Sequence, residues 1–430
     1  MSRFIKISPG KYIVLGFASV ILLGVLLLSL PIAWKNDVRV PFLDTLFTSV
    51  SAVCVTGLLT VDIADNYSVF GQIVVALLIQ TGGLGFASIG VGFILLTRSK
   101  ISFTERVLVK ESLNLNTAKG VVKLVRVILL MTLIFESIGT IINYIVFSKV
   151  YPPGKAMGVS IFHAISSFNN AGIDILGGFQ SLSSYQDNIL LNLNTIWLIV
   201  FGGLGFFTIK EILKKRCFKK FTLHTKVVIT MSIILLFVGT LIFKLTEDIT
   251  WLGALFTSTS SRTAGFSTYS IDRFSDSGLF ILTLLMFIGA SPGSTGGGIK
   301  TTTMFILIKN ISSIAKNKHC TAFKREIPKV VIGRALNIIF LALTVVCIDI
   351  LLLTVIEQDL SFVQIFFEVV SAIGTVGLST GITPQLQPVS KIIIIITMFI
   401  GRIGLLTVLS ALTFRQMSGA RYSEETLITG

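Results

Sequence analysis

Charge is scarce in this sequence. Only 13% of the 430 residues are Asp, Glu, Lys or Arg, while 53% are hydrophobic. A typical soluble domain carries about 25% charged residues to wet its surface, so a soluble fold is excluded. Histidine is rarer still, with three scattered at His163, His224 and His319. There is no HExxH pair, no nucleophile elbow and no Walker loop, so an enzyme has no constellation to work with. The four cysteines, Cys54, Cys217, Cys320 and Cys347, have neither disulfide-framework nor metal spacing. No nucleotide fingerprint is present, so neither a nucleotide nor a covalent cofactor is expected in this chain.

Long uncharged runs are abundant instead. Tyr12–Trp34, Tyr67–Thr97, Asn188–Ile209 and Val227–Phe243 carry no charged side chain. About 20 apolar residues cross a bilayer core as a helix, and backbone groups in lipid must be bonded internally. The first run follows Arg3, Lys6 and Lys11 and is long enough to span, so it reads as a helix and not as a cleaved signal. The net charge of +15 would suggest nucleic acid in a soluble protein. Here the basic residues gather at the N-terminus, in 98–126, 210–226 and 300–334, and at Arg415 and Arg421. The loops between them hold acids such as Asp62, Asp65, Asp174, Asp272 and Glu357. The positive-inside rule therefore predicts a multi-pass protein of the cell membrane with both termini cytoplasmic, and excludes nucleic acid as the partner.

The pattern repeats four times. Each unit reads as a long apolar helix, a shorter segment, a glycine turn and a second long helix. The units fall at 12–97, 121–212, 223–310 and 330–415, followed by a cytoplasmic tail at 416–430. The short segments, 41–53, 157–168, 250–261 and 361–373, are too short to span and predict re-entrant helices. They end in SAVCVTGL, SSFNNAGI, TSSRTAGF and SAIGTVGL. Aligned on Gly57, Gly172, Gly265 and Gly377, a hydroxyl stands six residues earlier each time: Ser51, Ser166, Thr259, Ser371. The fold class predicted is all-α integral membrane, eight spans and four re-entrant helices around a pseudo-fourfold pore.

A permeating cation sheds water, and a ring of backbone carbonyls replaces that water without burying a fixed charge. Glycine suits such a turn because the chain must adopt conformations a side chain forbids. The candidate ion-binding residues are therefore Val55, Thr56, Gly57, Asn170, Ala171, Gly172, Thr263, Ala264, Gly265, Thr375, Val376 and Gly377, with K⁺ as the metal held. Farther on, glycine pairs at Gly82/Gly85, Gly202/Gly205 and Gly401/Gly404 read mainly as helix packing.

In the third unit the second helix is interrupted by Gly289, Ala290, Ser291, Pro292, Gly293, Ser294, Thr295, Gly296, Gly297 and Gly298. Proline removes a helix donor, and each glycine lowers helix stability by about 1 kcal/mol relative to Ala. This segment is the candidate gate. Arg402, at mid-span, is expected beside it as an electrostatic barrier, with a packing pair to Asp349 or Glu136 as the alternative. Arg262 is expected to point away from the axis toward an acid such as Glu368. The basic loops 98–126, 210–226 and 309–329 are expected to form a partly helical surface for a regulatory partner or for anionic lipid.

These motifs, VTGL, NNAGI, RTAGF, TVGLST, the GSTGGG break and the arginine of GRIGLL, together resemble the Trk/Ktr/HKT superfamily of potassium transporters. The likeness is greatest to the KtrB-like membrane subunit of bacterial Ktr systems. It implies K⁺ uptake by a homodimer with one pore per protomer and a cytoplasmic nucleotide-binding regulatory subunit of the RCK/KTN type. It also implies that the broken helix gates the pore below the filter. Some relatives couple K⁺ to Na⁺ or H⁺, so a symporter on the same scaffold, with Na⁺ as coupling or activating ion, is the alternative.

Overall fold

The computed structural model describes residues 9–36, 38–96 and 120–412. The expected tail 416–430, Arg415 and most of the basic loop 98–126 lie outside the described residues. Four long first helices, Pro9–Leu28, Val121–Phe147, Leu223–Thr246 and Lys329–Ile356, are unbroken. Each is followed by a short helix: Phe42–Cys54, Pro153–Asn169, Trp251–Ser260 and Phe362–Gly374. Local sequence starts the third and fourth. The Thr250 hydroxyl accepts from the Gly253 amide, and Ser361 with Gln364 forms a reciprocal capping box.

The second helices depart from expectation. All four are broken, and not only the third. They run Val69–Leu84 then Phe86–Leu96, Ile189–Leu204 then Phe206–Lys215, Asp276–Phe287 then Thr301–Ala315, and Pro388–Ile403 then Leu405–Leu412. The second and fourth bend by 97° and 98° at their breaks. Three of the first halves have 16 residues, about 24 Å of rise. Among the described residues three helices are individually long and apolar enough to cross a membrane, or five if each bent pair is one span.

The repeats close into a ring. The second helix of each repeat packs on the short helix of the next, and that of the fourth packs on the short helix of the first. The last junction carries an ion pair, Lys391 Nζ to Asp44 Oδ1 at 2.7 Å, with both side chains largely buried. Outward faces stay apolar, with Leu22, Phe237 and Phe340 between 62% and 72% exposed. Helices that are apolar on every side, inner and outer, belong in lipid. On the basic face a small hairpin pairs Thr321–Ala322 with Arg325–Glu326, and Lys226 lies over the rings of Phe218 and Phe323. That surface is built of hairpin and turn as well as helix.

Candidate functional site

The short helices end in the same way in three repeats. Val55, Asn170 and Thr375 cap them in the left-handed region, at φ 55°, 61° and 50°. Two residues later Gly57, Gly172 and Gly377 are again at positive φ, as is Gly265 in the third repeat. The third repeat reaches its glycine differently. Its helix ends at Ser260, and the amides of Thr263, Ala264 and Gly265 all turn back to the Ser260 carbonyl. The hydroxyl six residues before the glycine holds the turn in two repeats. Ser51 accepts from the Gly57 amide at 3.0 Å, and Ser371 from the Gly377 amide at 3.1 Å. Ser166 makes no such bond, and the Thr259 hydroxyl donates to its own helix at Leu255.

The four glycines face one another in cyclic order. A Cβ at Gly57 would stand 2.5 Å from the carbonyl oxygen of Ala171. At Gly172 it would meet the Ala264 carbonyl, at Gly265 that of Val376, and at Gly377 that of Thr56. Each obstacle is the carbonyl just before the next repeat's glycine, and the fourth returns to the first. No side chain fits at any of the four positions, so the strands approach an axis more closely than L-residues allow.

A cavity of about 610 Å³ opens on the acid-rich face, lined by all four glycines and by Asp62, Asp174 and Asp272. Burial raises the Asp174 carboxyl to about 6; the Leu176 amide opposes this, and nearby Asp62 and Asp65 push it further up. Asp62 and Asp65 themselves accept the amides of Phe179 and Gly178, clamping the second repeat's loop over the cavity.

On the opposite side the segment between Phe287 and Thr301 lies against the ring. It is hydrogen-bonded all along. The Ser291 and Thr295 amides donate to Gly203 and Gly202, and the Gly293 carbonyl accepts from Phe206 at 3.0 Å. The Gly297 amide donates to Thr375 Oγ1 at 3.1 Å. The glycine-rich composition reads as a loop that can move because few contacts hold it, and the structure corrects that reading: these polar groups replace the helix bonds the loop lacks. A second cavity, of about 420 Å³, lies beyond it and is lined by Pro292, Lys300, Arg334 and Arg402 among others.

Arg402 donates to the carbonyls of Thr295, Gly82 and Gly83, the last at 3.1 Å. It does not pair with Asp349 or Glu136. Asp349 accepts from Thr397 at 2.6 Å, and Glu136 from Gln80 and Asn169. Arg262 reaches the Ser232 carbonyl at 3.3 Å, while Glu368 is bonded to Thr383, so the expected pair is absent among the described residues.

Two features escaped the sequence reading. Lys300 donates to the carbonyls of Gly296 and Gly297 at 2.8 and 3.3 Å, placing a second cation at the loop. A lysine between GGGI and TTT, directly after the glycine run and nine residues ahead of the next basic residue, was the available signal. Gly85, Gly205 and Gly404 are the breaks of their helices, at φ 80°, 86° and 92°. Their partners Gly82, Gly202 and Gly401 do serve close packing. A Cβ there would strike the carbonyls of Val53, Phe168 and Ile373, each two residues before a ring-strand start.

The profile of the TrkH family, described as cation transport protein, matches residues 18–423. The potassium/sodium uptake protein NtpJ of Enterococcus hirae is 40% identical over 99% of this chain and 98% of its own length. The Ktr system potassium uptake protein B of Bacillus subtilis is 37% identical over 100% of this chain and 98% of its own length. The crystal structure of the potassium transporter TrkH from Vibrio parahaemolyticus superposes with a TM-score of 0.76. It covers 96% of this chain and 86% of that one at 18% identity, a likeness of fold.

Proposed function

The chain belongs to the TrkH family of cation transport proteins, and from that premise we propose that it imports K⁺ through the glycine ring. It is a membrane transporter and not an enzyme. The observation that carries the reading is the cyclic approach of Gly57, Gly172, Gly265 and Gly377 to the carbonyl before the next glycine. Carbonyls so crowded around one axis substitute for the water of a dehydrated cation. The acid-lined cavity concentrates cations at the entrance. On this reading the loop Gly289–Gly298 is the gate, and Arg402 with Lys300 sets a positive barrier beside it.

One charge crossing about 100 mV gains about 2.3 kcal/mol, which is roughly 50-fold accumulation. Uptake therefore needs no second ion. A Na⁺-coupled reading is favoured only by the potassium/sodium relative. The basic face is proposed as cytoplasmic, with both termini there, and as the seat of a nucleotide-binding regulatory subunit. The "system" in the name of the Bacillus relatives is what supports a multi-subunit assembly. A homodimer is proposed from the family resemblance alone.

Flux of K⁺, Rb⁺, Na⁺ and Li⁺ from liposomes holding the purified chain, at clamped voltage, tests this. K⁺ and Rb⁺ should pass well ahead of Na⁺ and Li⁺, without a Na⁺ gradient. Equal passage of all four ions would overturn the filter. Strict dependence on a Na⁺ gradient would establish the symporter.

A further inference from the structure

The residue two places before each ring glycine is Val55, Asn170, Thr263 or Thr375. Three of the four are polar, and all are buried, at 0–3% exposed. Each polar side chain is tied to the broken-helix loop or to a neighbour that is. Asn170 Nδ2 donates to Thr295 Oγ1 at 2.8 Å, and that hydroxyl donates to the Phe168 carbonyl at 3.0 Å. Thr263 Oγ1 donates to Asn170 Oδ1 at 2.7 Å. Thr375 Oγ1 accepts from the Gly297 amide at 3.1 Å. One asparagine thus holds the loop with its nitrogen and the third ring strand with its oxygen. Val55 has no polar atom to offer, so the first strand stands outside this network.

Resting on the filter and gate reading above, we propose that Asn170, Thr263 and Thr375 determine specificity through their side chains. They latch the loop to three of the four ring strands, and unseating the loop lowers discrimination of K⁺ from Na⁺. Thr375 shows why the loop matters. A β-branched residue at φ 50° is sterically disfavoured and persists only where its surroundings fix it. Its amide closes the same turn as that of Val55, and its side chain has the loop amide of Gly297 as a further partner. When the loop moves, that added restraint goes, and the Val376 carbonyl is held less firmly in its place against Gly265. Withdrawing Thr295 likewise takes from the Asn170 amide the shorter of its two acceptors, leaving the Phe168 carbonyl at 3.3 Å, and loosens Thr263 through Asn170. The gate and the filter are then one mechanism, with selectivity highest while the loop is seated.

The test measures the K⁺/Na⁺ permeability ratio of the full chain in liposomes. Thr295→Val keeps the shape, removes both hydroxyl bonds and lies off the ring. It should lower the ratio about threefold to tenfold, the worth of one hydrogen bond. Thr295→Ser should restore the ratio, and Thr375→Val should act in the same direction as Thr295→Val. An unchanged ratio in monodisperse Thr295→Val and Thr375→Val protein overturns the latch. Shortening Pro292–Gly297 separates the two readings. More flux at an unchanged ratio keeps the gate and removes the latch. A lower ratio without more flux keeps the latch and removes the gate.

Discussion

The third repeat and the other three solve the same problem with different backbone. In repeats one, two and four the second helix turns at a single glycine, Gly85, Gly205 or Gly404, and resumes at the next residue. In the third, 13 residues, 288–300, intervene between the helices. The third repeat sends its extra chain across the ring's inner side, where it meets Gly202, Thr375 and Arg402. Repetition builds a ring with fourfold likeness; one departure from repetition lays extra chain against it, the segment proposed above as the gate.

The ring half of this comparison breaks with the largest effect. Gly265→Ser or Gly377→Ser drives a Cβ into the carbonyl of Val376 or Thr56 at a positive φ. Both the overlap and the backbone strain cost about 1–3 kcal/mol. K⁺/Na⁺ discrimination in liposome flux should fall by about tenfold or more, a factor that needs only about 1.4 kcal/mol. Wild-type discrimination in all four single variants, at Gly57, Gly172, Gly265 and Gly377, would falsify the filter assignment.

The loop half should move flux and not discrimination alone. Arg402→Ala removes bonds to three carbonyls, one of them on the loop at Thr295 and two at the first repeat's break. Charged hydrogen bonds contribute about 1.5–3 kcal/mol each. K⁺ flux should rise several-fold and depend less on any regulator. Lower flux from a stably folded variant would return Arg402 to a purely structural role.

Much of the architecture was legible because it is written as register. A hydroxyl six residues before a glycine, four times, places four turns, and the run from Gly289 to Gly298 announces a helix that must stop. The glycine pairs were misread in part. Gly82 and Gly85 are the same residue type doing different work: one clears the Val53 carbonyl, the other takes φ 80° with nothing within 4 Å. Residue type cannot separate those roles. The acid partners considered for the charged residues failed for another reason, although Arg402 does lie beside the broken-helix segment as expected. Arg402, Arg262 and Lys300 donate to backbone carbonyls, which every residue carries, so no acid in the sequence marks the partner.

That distinction gives a sharper, smaller test. Gly401→Ala would place a methyl against the Ile373 carbonyl, while Gly404→Ala meets nothing and bears only backbone strain at φ 92°. The second should cost about 1–3 kcal/mol, and the first more, since a backbone carbonyl must shift. Thermal unfolding in detergent should rank Gly401→Ala below Gly404→Ala, and both below wild type. The reverse order would mean that the hinge, and not the packing, limits stability.

The smallest effect concerns the proposed entrance, the cavity where the ring meets the acid-rich face. Asp174 lines that cavity with its carboxyl raised to about 6. Above that pH it is charged and adds to the field of Asp62 and Asp272; as pH falls through 6 it takes a proton and the field weakens. The apparent KM for K⁺ should therefore rise as the outer pH drops from 7.5 to 5. Asp174→Asn should show the higher KM throughout and lose that component of the pH dependence. Stability has the opposite sign. A folded-state pKa raised above the ordinary 3.8 means the folded chain binds the proton more tightly than the unfolded chain. This site therefore favours folding at low pH and opposes it once pH passes 6. Asp174→Asn should then unfold at a higher temperature than wild type at pH 7.5, while transporting with poorer affinity. A variant that lost affinity and stability together would show that Asp174 holds the loop through the Leu176 amide, and that the entrance field comes from the other acids.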